Sequence, residues 1–303
     1  MKIAIVGATG AVGQELLKLL QNSNAELVLF DSKSSITFRG IDLAFFCVES
    51  ALAKQLIPLA LQSGTLCIDS STAYRSDPNV PLVIPEINGH ALQRHQGVIA
   101  SPNCTTTIML MPLAPLHRKF QIKRIVAATY QAVSGAGVKG IGELEKQTRS
   151  YLEKKELAPE VFPYSCAFNV FPHESTMGPH GYVAEEMKMH EESRKILEDE
   201  TIGVTATCVR VPVFRVHSIA ANVEFASPFE KTEAISLIAN APGVRWNNNP
   251  TPLDAALQED VFCGRVRMDH TQPNTLEIWA VGDQLLKGAA LNMFQIAEKL
   301  CLK

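Results

Sequence analysis

The fold is decided by residues 3–13, which read IAIVGATGAVG in this chain of 303 residues. The apolar run at residues 3–6 predicts a buried strand, and residues 11–21 have the pattern of a helix. Glycines in the turn between them let the backbone approach a diphosphate, and the helix N-terminus offers N–H groups and a partial positive charge. We therefore expect nucleotide binding here, with a plain glycine-rich turn as the alternative.

Short apolar runs and helical periods alternate along the first third of the chain, which is typical of parallel βαβ units. After the first unit, a helix is predicted at residues 51–62 and strands at residues 27–30, 43–48, 66–68, 82–84 and 98–100. This part of the chain should form a doubly wound sheet.

Beyond Cys104 the predicted elements are longer and belong to a different sheet. Helices are predicted at residues 105–120, 138–156 and 184–200, and strands at residues 125–132, 204–211, 220–225 and 275–281. Residues 157–181 are rich in Pro, His and Gly and indicate a loop. The last predicted helix, residues 285–300, is amphipathic, and we expect it to pack back on the first domain.

Composition removes several classes of function. The chain has 28 Lys and Arg against 31 Asp and Glu, so nothing in its bulk charge favours nucleic acid or an anionic membrane, and we expect neither as a partner. Its seven cysteines are widely spaced, without paired zinc ligands or a dense disulfide framework, so we expect reduced thiols and no metal site. The apolar run at the N-terminus is too short for a signal peptide, which favours a cytoplasmic protein.

The end of the second predicted strand bears on the choice of cofactor. Asp31 is placed to bind the ribose hydroxyls of NAD and to repel a 2′-phosphate, whereas Lys33 and Ser34 favour the 2′-phosphate of NADP. A solvated turn is the third interpretation, and the residues alone leave all three open.

One cysteine stands at a predicted helix N-terminus, in Ser101-Pro102-Asn103-Cys104. Unpaired N–H groups and the helix dipole lower the pKa of a thiol at such a position, where a nucleophile would be useful. The other six cysteines are interpreted as small buried hydrophobic residues, because free cysteine is among the most buried residue types.

Five segments follow one another along the chain: SPNC at residues 101–104, YQAVSGAG at 130–137, EEMKM at 185–189, RVPV at 210–213 followed by His217-Ser218, and KGAALN at 287–292. In type and order they resemble the aspartate-β-semialdehyde dehydrogenase family. The resemblance is collinear from the first strand to the last helix, so it covers nearly the whole chain.

The resemblance implies an NADP-dependent, phosphorylating enzyme that reduces L-aspartyl-4-phosphate to L-aspartate 4-semialdehyde through a cysteine thioester and releases phosphate. Such an enzyme serves lysine/diaminopimelate, threonine and methionine biosynthesis. The implied fold is α/β, with a Rossmann-like, doubly wound nucleotide-binding domain (residues 1–104 with 285–303) and an α+β catalytic and dimerisation domain (residues 105–284). A homodimer is also implied.

The resemblance assigns the catalytic and substrate-binding roles. Cys104 matches the nucleophile, Gln131 a residue that orients the substrate, and His217 the general acid/base, for which an imidazole is suited. Arg210 matches the arginine that binds the α-carboxylate, because a guanidinium can bond both oxygens at once. The other implied substrate contacts are Glu185 with the α-amine, Lys188 and Arg75 with phosphate, and Asn103.

For the cofactor, the resemblance implies contacts from the glycine-rich loop, the end of the second strand, the segment after Gln131 and the C-terminal helix. These residues are Gly7, Thr9, Gly10, Ala11, Val12, Lys33, Ser34, Ser134, Gly135 and Asn292. NADP is the expected cofactor, and NAD stays open because of Asp31.

The chain departs from the family pattern in two places. Members usually read Ser-x-Arg-Ser-Ala-Gly after the second strand and continue through a longer segment, so an edge strand and turn should be missing here and the adenosine pocket should be more open. The loop FPHES at residues 171–175 also differs, which should alter the subunit contact or the mouth of the site.

Two other functions stay open. N-acetylglutamyl-phosphate reductase runs the same chemistry on a longer, acetylated substrate, but Glu185 suits a free ammonium and would be left unpaired against an acetamide, at a cost of roughly 1–3 kcal/mol. A non-catalytic relative that only folds and dimerises is the other; against it, Cys104, Gln131, Glu185, Arg210 and His217 are all present.

Overall fold

A computed structural model describes residues 1–21, 23–30 and 36–302. The chain divides into two compact units, Met1–Cys104 with Gly288–Lys303, and Thr105–Lys287.

The described residues of the first unit form a five-stranded, all-parallel sheet in the order β2-β1-β3-β4-β5. Its strands are β1 (Lys2–Val6), β2 (Glu26–Phe30), β3 (Leu43–Phe46), β4 (Leu66–Asp69) and β5 (Val98–Ala100). The strand order reverses between β1 and β3, and ligands of such sheets bind at the carboxyl ends of the strands at that point. The predicted doubly wound, Rossmann-like architecture is confirmed.

Helices α1 (Ala11–Leu20), α2 (Ser50–Gln62) and α9 (Leu291–Leu300) belong to this unit. Buried side chains of α9 join the core formed by β1, β3 and α1, as the amphipathic pattern of the last helix predicts. The helix begins later than expected, because Leu286–Ala290 is a π-helical turn. The Asp283 carboxylate accepts the N–H groups of Leu285 and Leu286 and so caps the start of this turn.

The strand predicted at residues 82–84 is wrong. Only an isolated bridge joins Leu82 to Ala100, and a short helix, α3 (Pro85–Asn88), follows directly. The Asn88 side chain accepts the N–H of Ile84 and donates to the carbonyl of Leu82. These backbone groups are therefore satisfied by a side chain instead of a neighbouring strand.

The described residues of the second unit form a mixed seven-stranded sheet in the order β10-β11-β12-β9-β6-β8-β7. Its strands are β6 (Ile122–Gln131), β7 (Phe171–Pro172), β8 (Gly203–Arg210), β9 (His217–Phe225), β10 (Val244–Trp246), β11 (Val261–Met268) and β12 (Thr275–Gly282). The helices are α4 (Cys104–Phe120), which begins at the unit boundary, α5 (Gly137–Leu152), α6 (Ala184–Leu197), α7 (Lys231–Ala239) and α8 (Pro252–Ala255).

Sequence patterns missed β10, β11, α7 and α8. In β11 the register shifts between Gly264 and Arg267, which breaks the alternation of apolar and polar residues that indicates a strand. Only glycine fits at position 264, because a Cβ there would lie 1.9 Å from the carbonyl oxygen of Asn247.

Strand register in the second unit brings three predicted site residues to the same end of neighbouring strands. Gln131 ends β6 and is paired in register with Arg210, which ends the parallel strand β8. On the other side of β6, the antiparallel strand β9 begins at His217. Strands β8, β6 and β9 are adjacent, so all three side chains start from the same end of the sheet.

None of the helices in the described ranges combines the length and the apolar character needed to cross a membrane.

Candidate active site

The glycine-rich loop after β1 has the geometry of an anion-binding turn. Gly7 adopts a left-handed backbone (φ +88°), and a Cβ there would lie 2.4 Å from the carbonyl oxygen of Cys47. At Gly13, in the first turn of α1, a Cβ would lie 2.3 Å from the carbonyl oxygen of Gly7. Both positions therefore require glycine for close packing of the turn on the sheet.

The N-terminus of α1 fits a diphosphate. Gly10 is its N-cap, and among the described residues no side chain caps it. The N–H groups at Ala11 and Val12 thus begin a helix whose positive end is not neutralised by an acidic residue in the first turn. Thr9 lies in the same turn. Asp31, Lys33 and Ser34, on which the choice between NAD and NADP was argued, lie outside the described residues.

Cys104 is the first residue of α4 and is partly buried. Burial above all raises the pKa of the Cys67 and Cys263 thiols to about 12. Burial likewise raises the pKa of Cys166 to about 11. The expectation of a buried hydrophobic residue is wrong for Cys301, which is exposed in the turn after α9. A thiol at a helix N-terminus remains the best placed of these for nucleophilic chemistry.

Three further predicted residues of the first unit are buried. The Arg75 guanidinium donates to the carbonyl oxygen of Ser70 at 2.5 Å. Asn103 is buried directly before Cys104. Asn292 is fully buried, and its amide nitrogen donates to the Val83 carbonyl and the Ser101 hydroxyl, so both of its N–H groups link α9 to segments next to β5. Its predicted cofactor contact stays a prediction.

In the second unit, Arg210 is buried, and its guanidinium group contacts several residues. One of its terminal nitrogens, Nη1, donates to the Ala132 carbonyl at 2.8 Å. The other, Nη2, donates to Glu174 Oε1 at 2.5 Å and lies 3.0 Å from His173 Nε2. The guanidinium also lies over the Phe162 ring, 5.2 Å from its centroid. The predicted carboxylate-binding residue therefore binds a carboxylate of its own chain.

His217 is fully buried, and its two ring nitrogens differ. Nδ1 accepts the N–H of Ala132 at 3.0 Å, so the proton of the neutral ring lies on Nε2. Nε2 is buried, and no described residue partners it. Burial first, and then the charge of Arg210, lower the pKa of His217 to about 3. The neutral ring thus presents an N–H donor to whatever binds beside it.

A hydrogen-bonded chain links the remaining predicted residues. The buried Gln131 amide donates to Glu185 Oε1 at 3.5 Å and to the Thr129 hydroxyl at 3.3 Å. Lys188 donates to the other oxygen of Glu185 at 2.9 Å, one helical turn along α6. Glu185 is buried, whereas the Lys188 side chain is 30% exposed and can therefore reach a bound anion.

Ser134 and Gly135 take different parts in this group. A Cβ at Gly135 would lie 2.9 Å from Arg210 Nη1 and 3.6 Å from His217 Nε2, so Gly135 directly adjoins both side chains. Ser134 is buried, and its hydroxyl accepts a hydrogen bond from Gln284. Gln284 also accepts the N–H of Val216, directly before His217. Ser134 is thus tied into the support of His217, and its predicted cofactor contact stays a prediction.

Sequence patterns missed three residues of this group: His173, Glu174 and Gln284. Residues 157–181 are predicted as a loop, and its segment 171–175 is expected only to alter the subunit contact or the mouth of the site, yet His173 and Glu174 both contact Arg210. Their departure from the family pattern was the available signal. Gln284 had none, because its partners lie 150 and 68 residues away along the chain.

His217 should make the stability of the protein depend on pH. Because the fold lowers its pKa from 6.5 to about 3, the unfolded chain binds a proton first, and stability is lost as pH falls below the unfolded value. Between about pH 6.5 and about pH 5 we expect this group to cost roughly 2 kcal/mol of unfolding free energy. Urea unfolding across this range measures it.

The His217→Asn variant should flatten this decline without abolishing it, because burial also lowers the pKa of His117 and His173. His270→Asn is the matched control, since His270 is exposed. An unchanged slope in His217→Asn would contradict the assignment of a neutral, buried ring.

Within the described ranges, no group of three or more His, Cys, Asp or Glu side chains is arranged to hold a metal ion.

Comparison with known proteins identifies relatives along the whole chain. A family model described as semialdehyde dehydrogenase, NAD binding domain, matches residues 22–95, and one described as semialdehyde dehydrogenase, dimerisation domain, matches residues 113–287. The aspartate-semialdehyde dehydrogenase of Synechocystis sp. is 47% identical over 328 residues, which cover 99% of this chain and 97% of the relative. That of Aquifex aeolicus is 41% identical over 331 residues, with 99% and 97% covered.

A solved structure is similar over the same extent. The crystal structure of aspartate semialdehyde dehydrogenase II from Vibrio cholerae, complexed with ASA, has a TM-score of 0.95 and 35% identity and covers 99% of this chain and 97% of its own. The alignments with the two curated relatives are longer than the 303 residues here, so they contain gaps in this chain. The chain therefore belongs to the aspartate-semialdehyde dehydrogenase family.

Proposed function

We propose that this chain is an aspartate-semialdehyde dehydrogenase that reduces L-aspartyl-4-phosphate to L-aspartate 4-semialdehyde with NADPH and releases phosphate. One observation carries the proposal: Gln131, Glu185, Lys188 and Arg210 lie in one hydrogen-bonding group of the second unit with His217. Their charges match a substrate with a free α-amine, an α-carboxylate and a phosphate. The names of the relatives support the same reaction.

Cys104 acts as the nucleophile. Its thiolate attacks the C4 carbonyl carbon of the acyl phosphate, the C–O bond to phosphate breaks, and a thioester to Cys104 results. Arg75 and Lys188 stabilise the leaving phosphate, which takes the electron pair of the broken bond. Splitting one difficult displacement into two easier steps is the advantage of covalent catalysis.

The cofactor is held by the turn after β1 and the N-terminus of α1, at Gly7, Thr9, Gly10, Ala11 and Val12. When bound there, NADPH supplies the hydride that reduces the acyl group to the level of an aldehyde. Lys33 and Ser34 favour NADP in this proposal, and Ser134, Gly135 and Asn292 are further contacts.

His217 and Gln131 act on the oxygen of the reacting carbonyl group. Because the neutral ring carries its proton on Nε2, His217 donates a hydrogen bond to that oxygen as negative charge develops on it. With its pKa lowered to about 3, chiefly by burial, the ring does not titrate near neutral pH, so we propose a neutral donor here in place of the general acid/base. Gln131 orients the substrate beside it, and Asn103 supports the substrate next to Cys104.

Glu185 separates this reaction from reduction of an acetylated analogue. Its carboxylate is buried next to Lys188, and its negative charge attracts a cation such as an α-ammonium group. An acetamide carries no positive charge to interact with that buried carboxylate, so it should bind there less well. We therefore propose the free amino acid as substrate.

We further propose that Met1–Cys104 with the C-terminal helix is the nucleotide-binding domain and that the second unit is the catalytic and dimerisation domain of a homodimer. The description of the family model that matches residues 113–287 supports the dimer. We also propose that the protein is cytoplasmic and acts in lysine/diaminopimelate, threonine and methionine biosynthesis.

A steady-state assay in the phosphorolytic direction tests the function. With L-aspartate 4-semialdehyde and inorganic phosphate, we expect reduction of NADP, and a parallel series with NAD measures the preference. Comparison with N-acetylglutamate semialdehyde decides the substrate class. No turnover with either cofactor and either aldehyde would reject the proposal, and faster turnover of the acetylated aldehyde would favour the alternative enzyme.

The Gly135→Ala variant tests the substrate-binding group in the same assay. The added methyl group would lie 2.9 Å from Arg210 Nη1, so the guanidinium must move away from the Ala132 carbonyl. We expect kcat/KM for the aldehyde to fall by roughly 10- to 100-fold, as for the loss of a charge-assisted hydrogen bond. Gly142→Ala is the control, since a Cβ there meets nothing within 4 Å. Equal rates in the two variants would contradict a role of Arg210 in binding.

A further inference from the structure

The carboxylate of Glu174 lies where a substrate carboxylate would be bound. Its two oxygens face Nη2 and Nε of Arg210, at 2.5 Å and 3.4 Å, in the side-on geometry that guanidinium groups use for carboxylates. Burial alone would raise the pKa of Glu174, but the hydrogen bond and charge of Arg210 outweigh it, and the pKa is lowered. Glu174 is therefore an anion at neutral pH.

Counting donors shows that Glu174 competes for Arg210. A guanidinium has five N–H donors. Contacts to Ala132, His173 and Glu174 use four of them. The remaining N–H donor, on Nη1, cannot bind both oxygens of a second carboxylate. A ligand carboxylate that accepts two hydrogen bonds from the guanidinium must therefore displace Glu174.

Arg210 does not need Glu174 to keep its place. The Ala132 carbonyl binds Nη1, and the Phe162 ring supports the plane of the guanidinium. The Phe162 backbone is in turn linked to the buried Glu143 carboxylate. When the Glu174 carboxylate moves away, these contacts keep the Arg210 guanidinium oriented toward an incoming carboxylate.

Glu174 can move without its loop moving. Hydrogen bonds hold both neighbours of Glu174, because the His173 N–H donates to the Cys208 carbonyl and the Ser175 N–H donates to His173 Nδ1. The Glu174 side chain itself is 22% exposed, against 3% for Arg210, so a change of rotamer takes its carboxylate into water.

We propose that Glu174 is an internal ligand of Arg210 that the α-carboxylate of the substrate must displace, so that Glu174 sets the affinity of the site for its substrate. The identity of that carboxylate rests on the proposed function. A site that is open for only a fraction of the time binds more weakly by that fraction. Removing the charge of Glu174 should therefore tighten binding.

The test compares Glu174→Gln with wild type. The amide is similar in size and lacks the charge, so we expect the KM for L-aspartate 4-semialdehyde to fall about tenfold, with kcat within about twofold. Glu174→Ala should change KM in the same direction. Glu145→Gln is the matched control, because it removes one carboxylate from the exposed pair with Arg149, and its KM should equal that of wild type.

Calorimetry gives a readout independent of turnover. L-2-aminobutyrate carries the α-amine and α-carboxylate of the proposed substrate without the aldehyde, and it should bind Glu174→Gln about tenfold more tightly than wild type. An unchanged or weaker affinity in Glu174→Gln would overturn the proposal and make Glu174 a residue that positions Arg210. Absence of turnover in wild type would reject the proposed function instead, and the calorimetric comparison would still decide the role of Glu174.

Discussion

The Cys104→Ser variant is expected to lose at least roughly 10³-fold in kcat while still binding NADP(H). A serine hydroxyl at the N-terminus of α4 is far less acidic than a thiol, so it is not ionised at neutral pH, and it is a poorer nucleophile. The loss should appear in both directions of the reaction, because acyl transfer to position 104 belongs to each.

Single-turnover kinetics and mass spectrometry test this prediction together. With L-aspartyl-4-phosphate and no cofactor, wild type should gain the mass of an aspartyl group on Cys104, and Cys104→Ser should not. Cys301→Ser is the matched control, since it makes the same change at an exposed thiol. If Cys104→Ser kept the rate of wild type, or if product accumulated without the adduct, Cys104 would not be the nucleophile.

The His217→Asn variant is expected to lose roughly 10²- to 10³-fold in kcat, the usual cost of removing one hydrogen-bond donor to a developing oxyanion. Asparagine can present its carbonyl oxygen where Nδ1 accepts the Ala132 N–H, so the backbone contact is kept. What disappears is the donor at Nε2, which no described residue partners. The effect should therefore fall on kcat more than on KM.

The His217→Gln variant distinguishes a donor from a base. A glutamine amide places N–H donors near the position of Nε2, so a neutral donor role predicts that His217→Gln is at least about tenfold faster than His217→Asn. Equal, low rates in the two variants would show that the imidazole must accept a proton. Thermal melts of both variants check that the fold survives.

The parallel sheet and its nucleotide loop could be predicted from the sequence because their signals are local. The apolar strand before Gly7 and the glycines at positions 7 and 13 all lie within residues 3–13. The structure shows the same order of elements. Where a local signal was interrupted, as by the register shift after Gly264, the strand was missed. At residues 82–84 an apolar run misled, because the Asn88 side chain takes the backbone hydrogen bonds.

The sequence by itself determined the family, the fold class and the types of side chain available for chemistry, since these follow from short motifs and their order. Only the tertiary structure decided that the ring of His217 is buried with no partner for its Nε2 among the described residues, and that Glu174 binds the guanidinium of Arg210. These contacts join residues 85 and 36 positions apart, and they depend on strand register and on which polar groups lose water. Burial and register are properties of the packed chain, and no local pattern of residues encodes them.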